Sequence, residues 1–144
     1  MTEIRKVARA AVLVAPDVPV SKVVRLMVKY GVGAVVVADT DGSVRGIFTE
    51  RDNLVRVTNP GHDPAKTPVR EVMTTTVKTA RPTMTIDDAL QLMTRRRFRH
   101  LPITDSTHRV TGIVSMRYLL MQRMTEQHES LEVLEAYVNA GGPG

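Results

Sequence analysis

Thr49 and Asp52 stand three residues apart where an apolar strand pattern, Val44-Arg45-Gly46-Ile47-Phe48, gives way to a helical one. A carboxylate at such a boundary can accept two hydrogen bonds from a vicinal diol, and the hydroxyl beside it can contact the same ligand. The free N–H groups of the turn favour phosphate. Both residues also have a plainer use, Thr49 as a helix cap and Asp52 as a solvated first-turn acid that suits the helix dipole. The densest positive cluster is Arg95-Arg96-Arg97-Phe98-Arg99-His100. Arg95 and Arg96 fall on a helical pattern and should point to solvent. His62, His100, His108 and His128 show no metal-ligand spacing, and the chain has no cysteine, so neither a catalytic centre nor a resident metal or cofactor is expected.

The elements that must position these residues are written twice. Subtracting 66 pairs Pro82 with Pro16, Leu92 and Met93 with Leu26 and Met27, and Asp105 with Asp39. The same shift pairs Val110, Gly112, Ile113, Arg117 and Leu120 with Val44, Gly46, Ile47, Arg51 and Leu54. Residues 12–57 thus recur without a gap as 78–123, as duplication would leave them. In the first copy Val20, Val23, Val24 and Met27 follow helical spacing and Gly31 closes the helix. Ala34 to Ala38 reads as a strand buried on both faces, Asp39 to Gly42 as a turn, Val44 to Phe48 as the return strand, and Thr49 caps a helix running toward Val57. In the second copy Ile86, Ala89, Leu90 and Met93 form the stripe, Leu101 to Ile103 the strand and Val110 to Val114 its return, and Ser115 begins a helix. With short extended openings at Val12 to Val14 and Val77 to Thr79, each unit is β-α-β-β-α. The fold class is α/β (α+β), two units packed sheet to sheet about a pseudo-two-fold axis.

Composition sets outer limits. The chain has 144 residues, 42% of them hydrophobic, and no Trp, so its core must come from Val, Leu, Ile, Met and Ala. No stretch approaches the ~18 to 20 apolar residues that span a bilayer, and no signal-peptide pattern opens the chain. A cytoplasmic protein with no membrane span is expected. The net charge of +5 suits anionic small molecules, an acidic partner or nucleic acid. Two Phe and three Tyr leave few stacking platforms, which argues against nucleic acid.

The order of elements, with Gly46-Ile47-Phe48-Thr49-Glu50-Arg51-Asp52 in one copy and Arg99-His100-Leu101-Pro102-Ile103 and Gly112-Ile113-Val114-Ser115 in the other, resembles a tandem CBS pair, or Bateman module. The resemblance implies a regulatory module that binds AMP, ADP, ATP or S-adenosylmethionine between its repeats, with Gly46 to Asp52 as ribose reader. It places Asp52 opposite Met73 to Lys78 and Phe98 to His100. Val77 and Phe98 would flank adenine; the alternative is that both are core residues, with Phe98 plugging the helix-to-strand corner. Phosphates would meet Arg99, His100, Lys78 and either Arg51 or Arg117. Ile47, Thr49, Arg51, Asp52, Val77, Lys78, Phe98, Arg99, His100 and Ser115 are the candidate ligand-binding residues.

Tyr118 stands where the first copy has Asp52, and a phenol cannot chelate a diol as a carboxylate does. One competent site and one weakened, repurposed or empty cleft are expected. The repeats are read as 7–58 and 71–124, with a linker at 59–70 and a helical extension with a mobile tail at 125–144. Val69 to Met73 resembles the lead-in helix of a CBS repeat, with Ile4 to Val7 as its counterpart. A homodimer acting through an effector protein is the expected assembly. The alternatives are a protein-interaction module that binds no small molecule and a nucleic-acid-binding protein.

Overall fold

The twofold sequence pattern becomes two similar halves in a computed structural model that describes residues 1–126. In the first half, helix α1 (Val20–Tyr30) buries Val20, Val23 and Met27 and stops at Gly31, whose φ of 63° is left-handed. There the N–H of Val32 turns back to the carbonyl of Met27 at 3.0 Å. Strand β2 (Ala34–Ala38) is buried along its whole length, as its unbroken apolar run predicts. It pairs in parallel with β1 (Leu13–Val14) and antiparallel with β3 (Val44–Thr49).

The second half repeats this 66 residues later. Helix α3 (Ile86–Arg96) starts at Thr85, whose hydroxyl accepts from the N–H of Asp88, and ends on Arg97 at a φ of 61°. Strands β4 (His100–Thr104) and β5 (Val110–Ser115) form the hairpin. The expected opening strand at Val77 to Thr79 is reduced to one bridge, Ala80 with Ile103. In the first half the N–H of Val36 reaches the carbonyl of Val12. Its counterpart is Pro102, which has no N–H to give, and the ladder ends there.

The halves exchange their lead-ins. The 3₁₀ turn Ile4–Lys6 puts Ile4 in the second core with Ile86, Met93, Leu101 and Leu119. The 3₁₀ turn Val69–Glu71 puts Val69, and after it Val72 and Met73, in the first core with Val23, Val35 and Phe48. Arg9 bridges to Ile113 as Thr74 bridges to Ile47, and Ser43 pairs with its own counterpart Arg109. The pseudo-two-fold axis therefore runs between the hairpin turns.

The last helices break this symmetry. The first copy was expected to continue as one helix toward Val57. Instead α2 (Glu50–Asp52) is one α-helical turn that widens into a π-helix, Asn53–Thr58. In the second copy α4 (Met116–Glu126) is regular, with Leu119 fully buried and Arg123 ion-paired to Asp87 on α3. Asn53 stands where Leu119 does and offers α1 no apolar anchor. An open groove of about 400 Å³ remains between α1 and α2, over Val24, Met27 and Val28. Of the expected helical extension and tail at 125–144, residues 127–144 lie outside the described residues. Among those described, no helix is long and apolar enough to cross a membrane.

Candidate functional site

The corner after β3 is built around a crossing of chains. The segment that follows the second lead-in passes over β3, with Ile47 and Thr74 exchanging backbone hydrogen bonds at 3.0 and 2.9 Å. A Cβ on Gly46 would lie 2.6 Å from the Met73 sulfur and 2.8 Å from the Thr74 carbonyl oxygen. Only glycine leaves room for this crossing, so the motif's first residue serves the fold.

The crossing brings Thr74 onto Asp52. One carboxylate oxygen of Asp52, Oδ2, accepts from the N–H of Thr49 at 3.0 Å and from its hydroxyl at 3.2 Å. The other, Oδ1, accepts from the Thr74 hydroxyl at 3.0 Å and lies 3.5 Å from Nε of Arg56. The N–H of Asp52 returns to the Thr49 hydroxyl, completing a capping box. Asp52 is 7% exposed, which rejects the solvated first-turn reading. A buried carboxylate is retained where hydrogen bonds and a cation compensate its lost hydration, and all of these are present.

The remaining candidates spread around this corner. Ile47 is buried, Thr49 half-buried and Arg51 exposed. Val77 is half-buried and Lys78 exposed. Phe98 packs on the second core. Arg99 is exposed, while His100 is half-buried, its Nε2 3.5 Å from where a Cβ on Gly33 would sit, with the Glu50 carboxylate on that same spot. Burial holds the His100 imidazole below its ordinary pKa, Glu50 pulls it back up, and Arg99 adds to the lowering. Asp52 bonds to none of Val77, Lys78, Phe98, Arg99 or His100; its side-chain partners are Thr49, Thr74 and Arg56. Sequence reasoning did not single out Arg56, although its i, i+4 spacing from Asp52 was a usable signal. Thr74 lies within Met73 to Lys78, the segment the resemblance sets opposite Asp52, and the crossing singles it out as the residue that bonds the carboxylate.

The second corner keeps the frame and changes the content. Ser115 accepts from the N–H of Tyr118 at 3.2 Å, as Thr49 does from Asp52. A Cβ on Gly112 would lie 3.1 Å from the Arg9 carbonyl oxygen. Arg9, the counterpart of Thr74, lays its guanidinium 4.7 Å from the centre of the Tyr118 ring. A cation over an aromatic face replaces a hydroxyl on a carboxylate.

The profile of the CBS domain matches residues 3–52 and 69–124, one stretch in each half. The chain belongs to the CBS-domain family. Among relatives of this CBS pair is the CBS domain-containing protein YhcV of Bacillus subtilis (strain 168), 37% identical over 79% of this chain and 79% of its own. A protein with CBS domains from Burkholderia ambifaria MC40-6 superposes with a TM-score of 0.80 at 28% identity, over 90% of this chain and 99% of that one. The CBS domain pair of protein MJ0100, solved with 5-methylthioadenosine and S-adenosyl-L-methionine, superposes with a TM-score of 0.76 at 20% identity, over 90% and 99%. In this CBS pair one corner is acidic and the other aromatic.

Proposed function

We propose that this CBS pair is a regulatory module that takes one adenosine-containing ligand, AMP, ADP, ATP or S-adenosylmethionine, at the Asp52 corner. The observation that carries the reading is the buried Asp52 carboxylate at the strand-to-helix turn, opposed by Tyr118 in the other copy. A vicinal diol is held by an anionic acceptor with lone pairs to spare, which the Asp52 carboxylate provides at Oδ1 and a phenol does not. Ribose would sit on Asp52 and Thr49 against Ile47, adenine between Val77 and Phe98, and phosphate against Lys78, Arg99, His100 and Arg51. Ser115 marks the second corner, where the same ligand is expected to bind weakly or not at all. At 20% identity the MJ0100 likeness bears on the fold, so the ligand class rests on residues 46–52 of this chain. Calorimetric titration of AMP, ATP and S-adenosylmethionine into the wild type and Asp52→Ala tests the reading. Micromolar binding of one ligand that the variant loses is the expected result, and absence of heat with all three from folded protein contradicts it.

The capping box favours a second reading. Asp52 already has a structural use in its hydrogen bonds to Thr49 and Thr74, so a module that only holds a partner protein would also keep it. Occupancy would reach an effector protein through a shift in the angle between repeats and in a homodimer surface. Val28 and Leu54, 77% and 63% exposed, lie on the helices that border the α1–α2 groove and suit such a surface. Light scattering at micromolar concentration should give twice the mass of one chain; a monomer mass removes the dimer.

A further inference from the structure

Three features coincide in the first repeat and are missing together from the second. The π-helix Asn53–Thr58 interrupts α2, whereas α4 is regular through the corresponding residues. Arg56 lies within that π-helix, with Nε 3.5 Å from Asp52 and Nη1 donating to the Met73 carbonyl at 3.2 Å. Its counterpart in sequence is Gln122, and Tyr118 stands there in place of Asp52. The Arg56 side chain therefore joins the π-helix, the buried carboxylate and the crossing lead-in. π-helical turns are rare and concentrate at functional sites.

The geometry points to Arg56 as a gate on the Asp52 corner, a cation that any diol must displace and whose release unties the π-helix from the lead-in. This rests on the proposed adenosine site. Oδ2 of Asp52 is committed to the capping box, which holds the turn together. Among the described residues, Oδ1 has only the Thr74 hydroxyl and Arg56 as partners, so it is the oxygen that can change partners without unmaking the corner. Thr74 is held in place by its backbone bridge to Ile47. Arg56 is half-exposed on a flexible stem and can leave for water at little cost. When it leaves, the Met73 carbonyl loses its donor as well. Occupancy of the corner thus reaches the segment carrying Leu54 and Val55, two exposed apolar side chains.

A gate and a ligand contact differ in sign. Arg56→Gln, which installs the second repeat's residue, should bind AMP about 2- to 5-fold more tightly than wild type, the equivalent of one half-exposed ion pair removed as competitor. Saturating AMP should change amide hydrogen exchange across residues 53–58 and 69–74 in wild type and leave those segments nearly unchanged in Arg56→Gln. Weaker or equal AMP binding by Arg56→Gln overturns the gate while leaving the adenosine site standing. If wild type binds none of AMP, ATP and S-adenosylmethionine, the site and the gate fall together.

Discussion

The two strand-to-helix corners have one backbone and two chemistries. Each begins with a glycine under a crossing lead-in, Gly46 beneath Met73 and Thr74, Gly112 beneath Ala8 and Arg9. Each has a hydroxyl that caps the next helix, Thr49 or Ser115. At the fourth position of the turn they part: Asp52 is buried among hydrogen bonds, and Tyr118 lies under a guanidinium. Glycine and hydroxyl are what the duplicated fold requires. The carboxylate is not, since the second corner forms without one. That separation makes Asp52 the residue at which the chemistries of the two corners part.

The same comparison runs through the helices behind the corners, where exchanging residues between the copies should produce the largest effect. Leu119→Asn puts an amide into the second core where Leu119 is fully buried and should cost about 3 to 5 kcal/mol in urea denaturation. Asn53→Leu, the reverse exchange, should be neutral or stabilise by about 0.5 to 1 kcal/mol, because it fills open space beside α1. Equal costs for both would mean that the groove is not a packing defect of the first copy.

Next in size is the pair of glycines. Gly46→Ala meets Met73 and the Thr74 carbonyl at 2.6 and 2.8 Å, while Gly112→Ala meets nothing nearer than 3.1 Å. The first should lose about 1 to 3 kcal/mol and the second less, read as shifts in thermal midpoint. A greater loss at Gly112 would break the proposed order of crowding.

The smallest effect concerns pH. His100 has no counterpart in the first copy, where Ala34 stands. Burial, aided by Arg99 and opposed by Glu50, keeps its folded pKa below the ordinary value of 6.5. The unfolded chain therefore takes up the proton first. Stability from a neutral His100 is fully present above the ordinary value and declines as pH falls through it toward the folded value. His100→Gln should flatten that decline between about pH 7 and pH 5; an unchanged slope would assign it to other groups.

Much of this was legible in the sequence because it depends on local pattern. Ala34 to Ala38 announces a strand buried on both faces, the Val20, Val23, Met27 stripe announces a helix, and Gly31 its end. The 66-residue repeat announces the pseudo-symmetry. Thr49 and Asp52 stand out because cap, carboxylate and spacing are all within one turn. The remainder depends on which distant surfaces meet. Nothing local to Val69 to Met73 says that it packs on the first core, so only the family resemblance, which set Met73 to Lys78 opposite Asp52, brought Thr74 near that carboxylate. The π-helix Asn53–Thr58 is announced by no local pattern, although the 66-residue shift already pairs Asn53 with Leu119. Pro102 is a different case: its missing N–H was present in the sequence and was sufficient to shorten the second opening strand.

The distinction between the corners is tested most directly by the number of ligands that one chain holds. Calorimetry of the adenosine ligand that binds, titrated into wild type, Asp52→Ala and Tyr118→Ala, should give one site per chain. Asp52→Ala should lose at least about 10-fold in affinity, the worth of one or two hydrogen bonds to a charged group, and Tyr118→Ala should stay within about 2-fold of wild type. Two equal sites per chain, or binding that survives Asp52→Ala intact, would contradict the assignment of ligand chemistry to the acidic corner.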